Sequence, residues 1–340
     1  MHRALPILIL SLAAGDLLAQ SVVVPNANAN TRGVSGLNTL TRNAGNPRTY
    51  MLGVPASELA TVPVGAEIVG VSFRSYVGTA NTATWPPSDT TWTDYEVTVG
   101  PAAPLNTWTG VFANQWATGS TPVQVRDGAM LITTNTFANN TSLPAPQPNP
   151  FGNFFWDFQK TFTYTGGDLA LLFTHPGSSQ ATSAFYLDNG TNNPVTGVAY
   201  AATGFQMASG TASSPYIARV HWGYGKGCAG TGNAVPMLVS AGDTTGGGTA
   251  TFSIANAKAS SPAAVGFGIQ RTSASLPNGC TLLTAPLVIL PVTLDANGRF
   301  LLNLGIAPGV TGAMEAQAFV IDAGAPGGYC VSNGVSFKAN

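Results

Sequence analysis

The sequence predicts an all-β chain of two units, an N-terminal jelly-roll-like antiparallel sandwich followed by a smaller immunoglobulin-like β-sandwich. Three observations predict it. Apolar residues recur at every second position in short runs along the whole length, the period of a half-buried strand. Thr, Val, Asn, Gly and Pro dominate, whereas helix formers at helical spacing are scarce. Turn residues punctuate the runs, with 40 Gly and 24 Pro among 340 residues, while a hydrophobic content of 44% supplies cores. That balance excludes both a disordered chain and a helical bundle.

Taken in order, Met1 to Arg3 is basic, Ala4 to Ala14 is apolar and Leu17-Leu18-Ala19 ends on a small residue, the layout of a secretory signal peptide over residues 1–19. The mature chain is expected to start at Gln20. Strands are expected over Glu67 to Ser75, Asp94 to Val99, Ala129 to Thr133, Phe154 to Phe162, Leu169 to Thr174, Ala184 to Leu187 and Tyr216 to Trp222. The one modest helix candidate is Ala56 to Ala60, and Asp188-Asn189-Gly190 reads as a turn. These elements make up the N-terminal unit, residues 20–222. A Gly-dense linker at 223–233 separates it from the C-terminal unit, residues 234–340. There, seven short strands are expected, at Pro236 to Ser240, Thr249 to Ile254, Ala263 to Gln270, Leu287 to Leu294, Arg299 to Leu304, Ala316 to Ile321 and Val335 to Lys338. Asn297-Gly298 predicts a hairpin turn between the fourth and fifth of them.

Charge narrows the function. There are 13 Lys+Arg and 14 Asp+Glu, 8% of the chain, against about 25% in an ordinary soluble domain. A net charge of −1 leaves no basic footprint for nucleic acid and no polybasic membrane patch. No transmembrane span is expected in the mature chain, because no later run approaches about 20 apolar residues.

Chemistry-bearing motifs are sparse. Gly225-Lys226-Gly227-Cys228-Ala229-Gly230 spells GxGxxG, but Thr231-Gly232-Asn233 and Pro236 follow where a dinucleotide site needs a helix. His175 and His221 are the only histidines after the leader, so one chain cannot form a three-histidine metal site. His175 is expected to cap a strand end. His221 shares a strand face with Arg219, opposite Val220 and Trp222, and is expected at a solvent-facing rim. Residue types allow a Ser-His-Asp triad, yet no GxSxG elbow exists, so a hydrolase is the weakest alternative and no catalytic residue is assigned. Asp94 and Glu96 project from one strand face, and Asp188 to Asn193 is oxygen-rich. Either suggests Ca²⁺ at most, and the expected cofactor is none, with solvated carboxylates and a plain turn as the simpler readings. Every tryptophan precedes the linker. Trp85, before Pro86-Pro87, and Trp108 sit in loop-like contexts and are the candidate ligand-binding residues, exposed indoles for stacking on a neutral polysaccharide.

Two resemblances add to this. Gly225-Lys226-Gly227-Cys228, Asn278-Gly279-Cys280-Thr281-Leu282, Gln317 with Phe319, Ile321-Asp322 and Ser332-Asn333-Gly334-Val335 make the last third resemble a recurrent C-terminal domain of large secreted and envelope proteins of environmental bacteria. The N-terminal unit is similar to a family of exported bacterial proteins that share a Phe-Arg strand (Phe73-Arg74), an Asn-Pro-Phe turn (Asn149-Pro150-Phe151) and a Phe-Thr-Tyr segment (Phe162-Thr163-Tyr164). These likenesses imply export, all-β folds and a C-terminal role in surface retention or sorting, and are silent on mechanism. Three pairings of Cys228, Cys280 and Cys330 are open to the sequence. The resemblance implies Cys228 with Cys280, and Cys330 lies outside its pattern. The leading expectation is therefore a non-enzymatic secreted or cell-envelope structural or interaction protein, with other envelope proteins as partners, and a carbohydrate-binding module second.

Overall fold

A computed structural model describes residues 20–78, 81–151, 154–181, 185–242 and 247–339. The signal-peptide expectation for residues 1–19 lies outside them. The described chain is all-β: its helical elements are 3-10 turns of three or four residues, one of them Ala56–Leu59 where a helix was expected. No helix in it is long and apolar enough to cross a membrane.

The main sheets of the N-terminal unit use β1 (Ser21–Val24), β2 (Arg48–Val54), β3 (Glu67–Phe73), β4 (Glu96–Pro101), β5 (Val123–Arg126), β6 (Trp156–Thr163), β7 (Leu169–His175), β8 (Val198–Ala202), β9 (Thr211–Ser213) and β10 (Ala218–Gly223). One sheet has the order β1-β10-β3-β6 and the other β9-β8-β2-β7-β4-β5, with every pairing antiparallel. Alternation puts Ile68, Val71, Phe73, Trp156 and Val220 of the first sheet against Tyr50, Leu52, Val97, Leu171 and Phe173 of the second, in one buried cluster. At about 25 cal/mol per Å² of apolar surface, this core is the main stabilising term of the unit. Both outer faces are covered as well. Loop residues Leu105, Trp108 and Phe112 pack over Met51 and Ala170 of the six-stranded sheet, and the C-terminal unit covers the four-stranded one.

That unit contains β11 (Met237–Gly242), β12 (Thr249–Ala255), β13 (Pro262–Gly268), β14 (Val288–Thr293), β15 (Phe300–Gly305), β16 (Gly312–Ile321) and β17 (Tyr329–Ala339). Its two antiparallel sheets run β11-β12-β15 and β14-β13-β16-β17 around Phe252, Val265, Phe267, Ala318 and Phe337. The expected Asn-Gly turn forms: Gly298 has φ +68°, and the Asp295 amide donates to the Arg299 carbonyl. It is not a hairpin, however, because β14 and β15 belong to opposite sheets and the turn carries the chain over the edge of the sandwich.

Val69 and Phe155 of the N-terminal unit pack against Met237, Val239 and Ala255, so the sheets stack with the units face to face. The Gly-rich stretch is held firmly: Tyr224 and Gly334 exchange both backbone hydrogen bonds, and the Cys228 amide donates to Val331. A Cβ at Gly334 would stand 2.4 Å from the Tyr224 ring, which explains a glycine there. Cys228 and Cys280 are bridged, as the resemblance implied, and Cys330 is a buried free thiol.

Asp322 locks the start of this unit to its penultimate turn. Burial alone would raise its pKa, but hydrogen bonds from the Thr231 hydroxyl (2.5 Å) and amide (2.6 Å), the Gly324 amide and Lys258 outweigh it and hold the carboxyl at about 2. A folded-state pKa below the unfolded value gives stability that is complete above the unfolded pKa and lost as pH falls through about 2. Asp322→Asn should therefore lower the urea midpoint at neutral pH, with the difference from the parent shrinking below pH ~4. A difference that persisted at the acid end would contradict this assignment.

Candidate functional site

Both tryptophans proposed as exposed stacking platforms are buried. Trp85 is 1% exposed, stacked on Phe185 at 5.1 Å and beside Phe137, because the short pairing of Thr84–Trp85 with Phe137–Ala138 folds the loop over the core. Trp108 is 7% exposed and its Nε1 donates to the Ala103 carbonyl, capping the six-stranded sheet. Neither ring has a face free for a sugar. Asp188-Asn189 is also no turn: Leu187–Asn189 pairs with Ser35–Leu37, Asp188 accepts from the Arg74 Nε (2.9 Å) and the Gly33 amide, and the Asn189 Oδ1 accepts from Ser35. Those oxygens are committed and not available for Ca²⁺.

His175 does sit at a strand end, its Nδ1 accepting from the Gly177 amide and its Nε2 meeting the Thr39 carbonyl at 2.8 Å. Burial lowers its pKa to about 4. Asp94 and Glu96 share a face as expected, joined by Asp127, which the sequence did not single out; one ligand atom from each lies within 4.8 Å of the others. Burial and then the neighbouring Asp94 and Asp127 raise the Glu96 pKa, and Glu96 accepts from Gln206. The cluster is partly exposed, and Asp94 also accepts from the Gly128 amide.

Charged groups also face one another across the seam between the units. On its outer side is a polar cleft of about 270 Å³ lined by Arg126, Asp157, Gln159, Asn256, Asn297 and Arg299, among others. Asp157, 4% exposed, takes Arg299 across the seam at 2.6 Å and Arg126 at 3.4 Å. Burial pushes its pKa up, and the two guanidiniums more than reverse that. Arg299 also lies over the Phe154 ring at 4.8 Å.

Phe154 also lines the neighbouring pocket of about 90 Å³, where β3 and β10 contribute Ser72, Arg219 and His221, and β11, β12 and β15 contribute Val239, Thr251, Ser253 and Leu301. His221 shares its face with Arg219, but that face is the one the C-terminal unit covers, so His221 is buried and not at a solvent rim. Its Nε2 is 2.8 Å from the Ser72 Oγ and its Nδ1 has no partner. Burial, then Arg219, lowers its pKa to about 3 and keeps it neutral. No carboxylate meets Nδ1, so the serine–histidine contact lacks the third member of a triad among the described residues.

A third feature is apolar. On the outer face of the sheet β14-β13-β16, Ile289 stands opposite Gly266, and Pro291 and Phe319 flank Ala264. Leu287 is 70% exposed, Ile289 59% and Ile321 54%.

No protein-family model matches the chain, and no curated protein matches it. Among solved structures, it is similar to one titled "Crystal structure of tetra-tandem repeat in extending region of large adhesion protein", at 10% identity over 89% of this chain and 97% of that one, with a TM-score of 0.20. A likeness at that TM-score says nothing of function, which is read from this chain alone.

Proposed function

We propose that this is an exported structural or interaction protein of the cell exterior, acting by docking and not by catalysis, and that it docks to a second copy of itself through the outer face of the β14-β13-β16 sheet. Export is supported by the leader layout and by a disulfide, which persists in oxidising compartments. The observation that carries the docking role is the apolar face itself. Ile289, Pro291 and Ile321 are exposed and Ala264 and Phe319 partly so, an apolar stretch of the face next to Gln317 and Glu315, which the Arg271–Ser275 and Thr281–Thr284 strands engage, and exposed apolar surface marks interaction sites.

A second copy is the occupant favoured by charge. A chain of net charge −1 with an exposed apolar stretch offers no electrostatic barrier to its like, whereas a charged partner would find no complementary group there. Pro291 lacks an amide proton and lies on the edge strand β14, so the contact is sheet face on sheet face and not strand addition. Surface retention by the C-terminal unit fits the same surface.

Light scattering across a concentration series should show the mass of residues 20–340 rising from monomer towards dimer. Ile289→Lys and Ile321→Lys should remain monomeric with unchanged melting, since both side chains are already exposed. A constant monomer mass up to the solubility limit would refute the proposal. Point substitutions are preferable to deleting the unit, which would uncover Val69, Phe155 and His221.

A further inference from the structure

Arg219 is a cation without a counter-ion. It forms no ion pair and no side-chain hydrogen bond among the described residues; its one close partner is the Phe151 ring, 4.3 Å from the guanidinium carbon. Paired arginines in this chain show the contrast: Arg74 has Asp188, and Arg126 and Arg299 share Asp157. Taking an unpaired charge out of water is costly, and burial together with nearby Arg74 lowers the Arg219 pKa to about 10. As a residue Arg219 is nonetheless only half-buried.

Its surroundings suit an anion. Among the described residues Arg219 is the only charged one lining the 90 Å³ pocket, so none of them neutralises its positive field there. Ser253 brings a hydroxyl with no partner among the described residues, and Ser72 brings one that touches His221. His221, 3% exposed, lines the same pocket with its Nδ1 unpartnered, and a neutral imidazole that accepts the Ser72 proton at Nε2 carries N–H at Nδ1. The remaining walls are Phe151, Phe154, Phe155, aliphatic groups and Thr251, whose hydroxyl donates to Asn303, a partly apolar setting in which a charge-assisted hydrogen bond counts for more than in water.

We infer that this pocket binds a single oxyanion group, held by the Arg219 guanidinium with the Ser253 hydroxyl and the His221 Nδ1–H beside it. The volume admits one carboxylate or sulfate and little beyond it, so a larger ligand enters by its charged end. Because Ser253 and Val239 come from one unit and Arg219 and His221 from the other, the anion would also bridge the seam. This inference is independent of the docking face, which lies on another sheet.

Thermal melting and isothermal titration of residues 20–340 test it, with sodium sulfate, sodium glucuronate, and glucose and sodium chloride as controls at matched ionic strength. The parent should show a saturable rise of about 2–4 °C with at least one of the two oxyanions and none with glucose. A response to both sulfate and glucuronate identifies a general oxyanion site. A response to glucuronate alone identifies the carboxylate of an acidic sugar, and to sulfate alone a free or esterified sulfate. Arg219→Met should lose the response while melting no lower than the parent in anion-free buffer, because it removes an unpaired charge; Arg219→Lys should keep a weaker one. Absence of saturable heat in the parent would overturn the site, even if Arg219→Met failed to fold. So would an equal response in Arg219→Met.

Discussion

Replacing Cys228 and Cys280 together by serine is expected to lower unfolding free energy by about 4 kcal/mol, read as a reduced urea midpoint under non-reducing conditions. The magnitude follows from the 52-residue separation of the two cysteines, which the bridge removes from the freedom of the unfolded chain. Position adds to the effect. Cys228 lies on the segment that brings the chain from β10 into the second sandwich, and its amide donates to Val331 on β17. Cys280 lies at the tip joining Arg271–Ser275 to Thr281–Thr284. Cys330 supplies an internal reporter. Burial raises its pKa to about 11, so it should label with a thiol reagent only as the C-terminal unit opens, and at lower urea in the serine variant. Coincident midpoints for parent and variant would contradict the expected role of the bridge.

Asp188→Ala and Arg74→Ala should each cost about 3–5 kcal/mol, by leaving the other charge buried alone. Both side chains are almost wholly buried and meet at 2.9 Å. Burial raises the Asp188 pKa despite the Gly33 amide and Arg74, and lowers that of Arg74 despite Asp188, so each depends on its partner to remain charged. Arg74 also donates to the Asn28 and Thr31 carbonyls, and Asp188 accepts from the Gly33 amide, which ties the N-terminal loop to the core. Arg74→Ala with Asp188→Ala should be milder than the sum of the two single changes, by a coupling of about 1–3 kcal/mol. Additive losses in a double-mutant cycle would show that the two residues act separately. This pair also gives a physical meaning to motifs seen in the sequence: Phe73-Arg74 and Asn149-Pro150-Phe151 meet here, with Phe151 under Arg74 and Arg219, and Asn149 donating to the Ser75 carbonyl.

Most strands were legible because they alternate. Thr249–Ala255 has one face on a core and a sequence of period two, while Glu67–Phe73 and Leu169–His175, buried on both faces, stand out as Val/Phe and Leu/Phe runs bounded by turn residues, and each was expected within a few residues of its place. β2 was missed: its residues from Thr49 to Val54 are all buried, Tyr50 and Leu52 in the sandwich and Met51 under the Trp108 loop, so no polar face marks it, and Gly53 cuts its apolar run to Tyr50-Met51-Leu52. The Asn-Gly signal fixed a turn but not a pairing, because a turn sets local dihedrals whereas sheet membership depends on which neighbours the strands reach.

The candidate site shows the same division. Strand periodicity alone placed Arg219 and His221 on one face and Val220 and Trp222 on the other, and the structure keeps that alternation. What covers each face depends on contacts with elements elsewhere in the chain: β11 and β12 on the His221 side, Phe185 over Trp85, and the six-stranded sheet beneath Trp108. By itself the sequence determined the all-β class, the low charge and the alternation, since these follow from residue type and from the two-residue period of a strand. Only the tertiary structure decided that the tryptophans are core, that His221 and Arg219 line a pocket between the units, and that Ile289 and Ile321 are left exposed, because burial is a property of what packs against a side chain.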